Sequence, residues 1–168
     1  GCLMSGRHFM TQSATGSHLL HHKIRRRLAG GSYPLHHKIT RRLYDGVSRF
    51  CDFDPAENIL VFSAPRGGST WLTELLSKIP GTVVLWEPLS PEFVDEFRQL
   101  GFGWRQHIPE GEKWEGAADT FDRLFRGKIL SPYLCQNDWL ASFLFADRML
   151  IKLCRGDAML PWLVDNFE

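Results

Sequence analysis

The residues best equipped to do chemistry lie in one run, Ser63-Ala64-Pro65-Arg66-Gly67-Gly68-Ser69-Thr70-Trp71-Leu72. Two adjacent glycines let a backbone turn tightly and approach a ligand with no Cβ in the way. A helix begun by Ser69 and Thr70 would present free N–H groups and the positive end of its dipole. Arg66 adds a permanent charge and a planar fork of donors that suits phosphate or sulfate oxygens. The hydroxyls of Ser69 and Thr70 can bond a ligand or cap the helix. Together these residues read as a site for an oxyanion. The plainer alternative is a tight turn with an incidental arginine, which leaves the conjunction of Arg, Gly-Gly and Ser-Thr without a cause. A Walker A loop would need G-x-x-x-x-G-K-[ST]. The residue before Ser69 is Gly68 and no glycine stands at the required distance upstream, so an ordinary ATPase or kinase is disfavoured.

Positioning such a loop requires a strand before it and a helix after it. Ile59–Ser63 is a continuous apolar run that reads as a buried strand. From Ser69 to Ile79 the residues Trp71, Leu72, Leu75, Leu76 and Ile79 recur at helical spacing, and Pro80-Gly81 stops them. Val83–Trp86 reads as a second buried strand. Ser90-Pro91 is expected to open a helix carrying Phe93, Val94, Phe97 and Leu100 on one face. Further helical patterns cover about 117–126 and 132–146, Met149–Cys154 is a third strand, and Asp157 is placed to cap a last helix. Strands alternating with helices predict an α/β fold, a parallel sheet with flanking helices.

The chain has 168 residues and 43% hydrophobic content, enough for one domain with a core. Charge divides it. Residues 1–50 carry nine Lys or Arg against the single acid Asp45, whereas residues 51–168 carry eleven against eighteen acids. The expected organisation is a basic leader over 1–54 and an α/β domain over 55–168. Within the leader, Leu20–Leu28 (LHHKIRRRL) is repeated with one substitution at Leu35–Leu43 (LHHKITRRL). A helix would align Leu20, Ile24 and Leu28 with basic residues around them. Weak membrane contact through this leader is one reading, a solvated charge run the blander one. A non-catalytic protein that binds anions or nucleic acid through the leader is a rival from another class, although nucleic acid is not the expected partner. Cys2, Cys51, Cys135 and Cys154 form no CxxC pair, so neither a metal site nor a disulfide framework is expected. No signal segment is evident either, and the expected setting is reducing and cytoplasmic.

Residues 59–89 resemble the 5'-phosphosulfate-binding segment of sulfotransferases that use 3'-phosphoadenosine 5'-phosphosulfate (PAPS). The family's loop reads approximately P-[KR]-[SG]-G-[ST]-[ST]-[WF]-[LV], and Pro65, Arg66, Gly67, Gly68, Ser69, Thr70, Trp71 and Leu72 match it throughout. Arginine after the proline and the acid-proline pair of Trp86-Glu87-Pro88-Leu89 are similar to the carbohydrate-modifying branches. The resemblance implies a fold related to the P-loop kinases. It also implies transfer of a sulfuryl group from PAPS to a hydroxyl or amine, for instance of a carbohydrate, with 3'-phosphoadenosine 5'-phosphate (PAP) as product. Pro65 to Trp71 would then hold the donor, with Arg66 stabilising charge on the leaving oxygen. Glu87, at the carboxyl end of a strand and aimed by the extended backbone that Pro88 favours, would be the base that takes the acceptor's proton. His107 is a second, weaker base candidate.

The likeness weakens beyond Gly101. The family's 3'-phosphate signature is a strand ending in Arg, often followed by Asp-Pro-Arg, with Ser eight residues after the first Arg. Arg155 follows the third strand, but Gly156-Asp157-Ala158 and Leu163 stand where those residues would be. Arg155 is either a degenerate 3'-phosphate ligand or part of a unit preceding the true site. The latter is favoured, with the chain expected to be truncated before the 3'-phosphate segment. An ATP-using P-loop relative is the rival within enzymes.

Overall fold

A computed structural model describes residues 34–167, with side chains from residue 39 onward. The chain divides into two units, residues 1–36 and 37–168. The described residues belong to the second, apart from the first turn of helix α1 (Pro34–Phe50). The first copy of the basic repeat lies outside the described residues; the second falls in α1.

Three strands, β1 (Ile59–Ser63), β2 (Thr82–Trp86) and β3 (Arg148–Cys154), form an open, all-parallel sheet in the order β1-β3-β2. Ile59 pairs with Leu150 and Ser63 with Cys154 on one side of β3, while Thr82 pairs with Arg148 and Trp86 with Lys152 on the other. Helices α2 (Ser69–Leu76), α3 (Asp95–Gln99), α4 (Glu115–Phe125) and α5 (Leu160–Phe167) complete an α/β architecture.

Strand alternation explains how the sheet is covered. Leu60, Val83, Leu85, Met149, Ile151 and Leu153 join a large core with α4 and α5. Val61, Val84 and Leu150 form a smaller cluster on the opposite face, closed by Leu76 of α2. α4 buries Ala117, Thr120, Phe121, Leu124 and Phe125, the spacing of an amphipathic helix. Phe121 is the hub of the large core, with its ring 5.2 Å from Phe97 and 5.9 Å from Trp162. Tyr44 and Val47 of α1 also pack against this core, and Cys51 and Phe53 are buried in it.

Several elements differ from their expected extents. The helix expected from Ser90 is only Asp95–Gln99. The Ser90 carbonyl instead accepts from the amides of Phe93 and Val94, which turns the chain before the helix starts. Over 132–146 there are turns and a short 3-10 segment, Leu140–Leu144, in place of a long helix. That segment has another task. The Leu134 carbonyl accepts from Trp86 N–H and Asp138 Oδ2 accepts from Val84 N–H at 2.7 Å, so it covers the outer edge of β2. Among the described residues, β1 pairs only with β3. Asp157 caps no helix; a 3-10 turn (Asp157–Met159) leads into α5 with Gly156 at the cap. No described helix is long and apolar enough to cross a membrane.

Candidate functional site

β1 ends at Ser63, and the chain turns back at once: Gly67 N–H donates to the Ala64 carbonyl at 3.1 Å. Pro65 takes the second position of this turn and Arg66 the third, with φ +66°. A positive φ at the third position belongs to turns that normally carry glycine there. Gly67 is needed for space, since a Cβ would sit 3.0 Å from the Ala64 carbonyl oxygen. Gly68 is needed for conformation, with φ +78° at the N-cap of α2. The amides of Ser69, Thr70 and Trp71 are in the first turn and have no intrahelical acceptor. The Arg66 side chain is exposed and has no hydrogen bond or ion pair among the described residues. A shallow hollow of about 250 Å³ runs between the loop and β1, lined by Phe62, Ser63, Gly67, Gly68, Trp71 and Leu72 among others.

Ser69 and Thr70 were candidates for capping α2, but no side chain caps it. Both hydroxyls turn to β3. Ser69 Oγ lies 3.7 Å from Cys154 Sγ, and Thr70 Oγ1 accepts from Lys152 Nζ at 3.1 Å.

Glu87 follows β2 directly. Pro88 led to an extended backbone being expected at Glu87; instead its φ is +41°. The turn carries its carboxylate inward, where Oε1 accepts from Lys152 Nζ at 2.8 Å and from Cys154 Sγ at 3.3 Å. Both contacts end on Oε1, and Oε2 has no hydrogen bond among the described residues.

Lys152 was not anticipated. Its side chain is only 2% exposed, and its third interaction is with the ring of Trp86, 3.7 Å from Nζ to the centroid. The signal was in the third strand: Met149-Leu150-Ile151-Lys152-Leu153-Cys154 is apolar except for one lysine, and a lysine is almost never buried without a partner. Alternation puts Lys152 on the face of Leu150, the face that α2 covers.

Arg155 follows β3 with φ +68°, and its amide donates to the Ser63 carbonyl at 2.9 Å, which ties it to the start of the loop. Its guanidinium carbon lies 3.4 Å from the centroid of the Trp104 ring. Its Nε is buried without a hydrogen-bond partner. Nearby, Tyr133 donates to Ser90 Oγ at 3.2 Å and stacks on Phe93. Burial pushes the Tyr133 phenol up, the Ser90 bond opposes this, and the charge of Glu87 adds to it while that of Arg155 opposes it. His107 is exposed on its loop. Among the described residues, no three His, Cys, Asp or Glu side chains are grouped to hold a metal ion.

Arg66, Glu87 and Arg155 are thus brought to the carboxyl ends of the three strands. Among the described residues they are the three non-glycine positions with positive φ. Each such conformation costs on the order of 1–3 kcal/mol and persists only where its surroundings hold it. Comparison with protein-family models, with curated proteins and with solved structures finds no match to this chain.

Proposed function

We propose that this α/β domain has a P-loop-like sulfotransferase site. In this reading the loop Pro65–Trp71 holds the 5'-phosphosulfate of PAPS, and the sulfuryl group passes to a hydroxyl or amine, with a carbohydrate as the acceptor class. One observation carries the reading: left-handed backbone at Arg66, Glu87 and Arg155, one residue beyond each strand or in the loop that follows it. Ligands of open α/β sheets bind outside the carboxyl ends of the strands, and backbone strain gathers at binding and reaction sites. The order β2-β3-β1, with the glycine loop after β1, supports the P-loop likeness.

In this reading the acceptor oxygen attacks sulfur and the bond from sulfur to the bridging phosphate oxygen breaks. The electron pair of that bond stays on PAP. Arg66, unpartnered and exposed, and the first-turn amides of α2 stabilise the charge that develops there. The acceptor's proton goes to Glu87, whose Oε2 is free for it while Oε1 is held by Lys152 and Cys154. The Arg155 amide bonds to Ser63, the last residue of β1 before the loop, and its guanidinium has no ion pair among the described residues, which suits it to a second anionic group of the donor.

Calorimetric titration of residues 1–168 with PAP, adenosine 5'-phosphate and ATP tests this. Binding of PAP and adenosine 5'-phosphate, with ATP weaker, supports the reading. Similar, weak affinity for the first two would mean that Arg155 does not complete a 3'-phosphate site, because discrimination is large only where buried partners await the distinguishing group. A hundredfold preference for PAP would show that it does. ATP binding more tightly than PAP would replace a sulfuryl donor by a phosphoryl donor, and no binding of any of them would remove the site.

A further inference from the structure

Lys152 touches neither donor nor acceptor in the transfer described above, yet among the described residues it is the one charged side chain buried at the centre of the sheet, between Val61 and Trp86. Its ammonium has three protons and three interactions: Thr70 Oγ1, Glu87 Oε1 and the face of Trp86. It is therefore fully engaged by the protein and has no donor left for a ligand.

The direction of the Thr70 bond has a chemical consequence. Lysine can only donate, so Thr70 Oγ1 must be the acceptor. The Thr70 hydroxyl proton is then free to be given elsewhere. Thr70 is exposed, in the first turn of α2, beside the amides and Arg66. A hydroxyl that accepts from a cation is polarised and becomes a stronger donor. We propose that Lys152 is a positioning residue for the oxyanion site: it fixes Thr70 as an outward donor and conveys its charge to the bound anion through that hydroxyl. Glu87 completes the arrangement by neutralising the ammonium, which would otherwise be an isolated charge in the sheet.

This inference rests on the reading that the loop binds the 5' group of the donor, and its test separates the two. PAP affinity is measured by calorimetry for the wild type, Thr70→Val, the pair Lys152→Met/Glu87→Gln, and the triple variant. The paired change leaves no lone buried charge, and thermal unfolding checks that each variant is folded. Thr70→Val is expected to weaken PAP roughly tenfold or more, the scale of a charge-assisted hydrogen bond. The pair should weaken it by a similar factor, and the triple variant by no more than either alone. Thr70→Ser, which keeps the hydroxyl, should restore both affinity and its dependence on Lys152. A purely structural lysine would not give this coupling. If the wild type fails to bind PAP, the reading of the loop falls and this inference with it. If the wild type binds and the pair binds equally well, Lys152 has no role in anion binding and the loop reading survives. If the two losses multiply in the triple variant, Lys152 does not act through Thr70 and the proposal is overturned.

Discussion

Replacing Glu87 by glutamine should destabilise the fold, and the size of the effect follows from its partner. Lys152 is 2% exposed and Glu87 21% exposed, so the ammonium cannot be solvated in place once the carboxylate is gone. Removing one member of a buried pair typically costs about 3–5 kcal/mol, because the survivor stays uncompensated. Glutamine can still accept through its amide oxygen, which puts the expectation at the lower end, about 3 kcal/mol. For a chain of this size each kcal/mol moves Tm by about 2–4 °C, so Glu87→Gln should melt on the order of 10 °C lower. Adding Lys152→Met should recover most of that loss, since a buried pair can be exchanged for neutral groups of similar volume with little net change. The assay is urea and thermal unfolding of the wild type, both single variants and the double variant at fixed ionic strength. A single variant within about 0.5 kcal/mol of the wild type, the scale of ordinary surface changes, would refute the reasoning. So would a double variant no more stable than Glu87→Gln.

Other expectations concern the loop and the sheet edge. Arg66→Ala should weaken PAP binding by about 1.5–3 kcal/mol, the worth of a charged hydrogen bond, with little change in Tm; unchanged affinity in calorimetry would end the assignment. Gly68→Val meets open space but must hold a β-branched residue at φ +78°, so it should lose about 1–2 kcal/mol in urea unfolding through the backbone alone. An equally stable variant would mean that the left-handed cap is not required. Where transfer is assayed on folded protein, Glu87→Gln should lower turnover by roughly 10²–10⁴ with donor affinity retained; loss of affinity together with turnover would make Glu87 a structural residue. Asp138 should give a pH signature. Burial raises its carboxyl above the ordinary value despite the bond from Val84 N–H and the charge of Lys78. A raised folded value means that the ionised form costs stability above it, and that the cost disappears as pH falls towards 3.8, the ordinary value. Asp138→Asn keeps an acceptor for Val84 N–H and should be at least as stable as the wild type at pH 8, with the difference shrinking towards pH 4. A less stable variant at pH 8 would contradict this.

Local pattern makes much of the fold legible in the sequence. The apolar runs at 59–63, 83–86 and 149–154 correspond to β1, β2 and β3 to within a residue. Buried parallel strands are continuous in hydrophobicity, and the signal survives whatever surrounds them. α4 was equally plain, because its apolar residues recur at the helical period. The turn and glycine requirements at Gly67 and Gly68 were written in the residue types, since only glycine meets both without a clash or strain. Nothing local could show that 132–146 would cover the outer edge of β2. That role is set by Asp138 and Leu134 meeting the amides of Val84 and Trp86 across the fold.

The site divided in the same way. Arg66, Glu87 and Arg155 could each be named from the residue types and the strand each follows. Their convergence depends on β3 lying between β1 and β2, an order no local pattern encodes. The same order decides the fate of Lys152: only in a central strand does its ammonium lie between Thr70 and Glu87, residues 82 and 65 positions away in sequence. Pro88 argued for an extended Glu87, and a long-range ion pair is where its carboxylate goes instead. Backbone preferences of that kind amount to a few kcal/mol at most, and the need to compensate a buried ammonium is at least as large. The sequence by itself determined which segments become strands and which charged residues follow them. Tertiary structure decided which of those charges meet, because desolvation is a property of the assembled sheet and has no counterpart in a local stretch of chain.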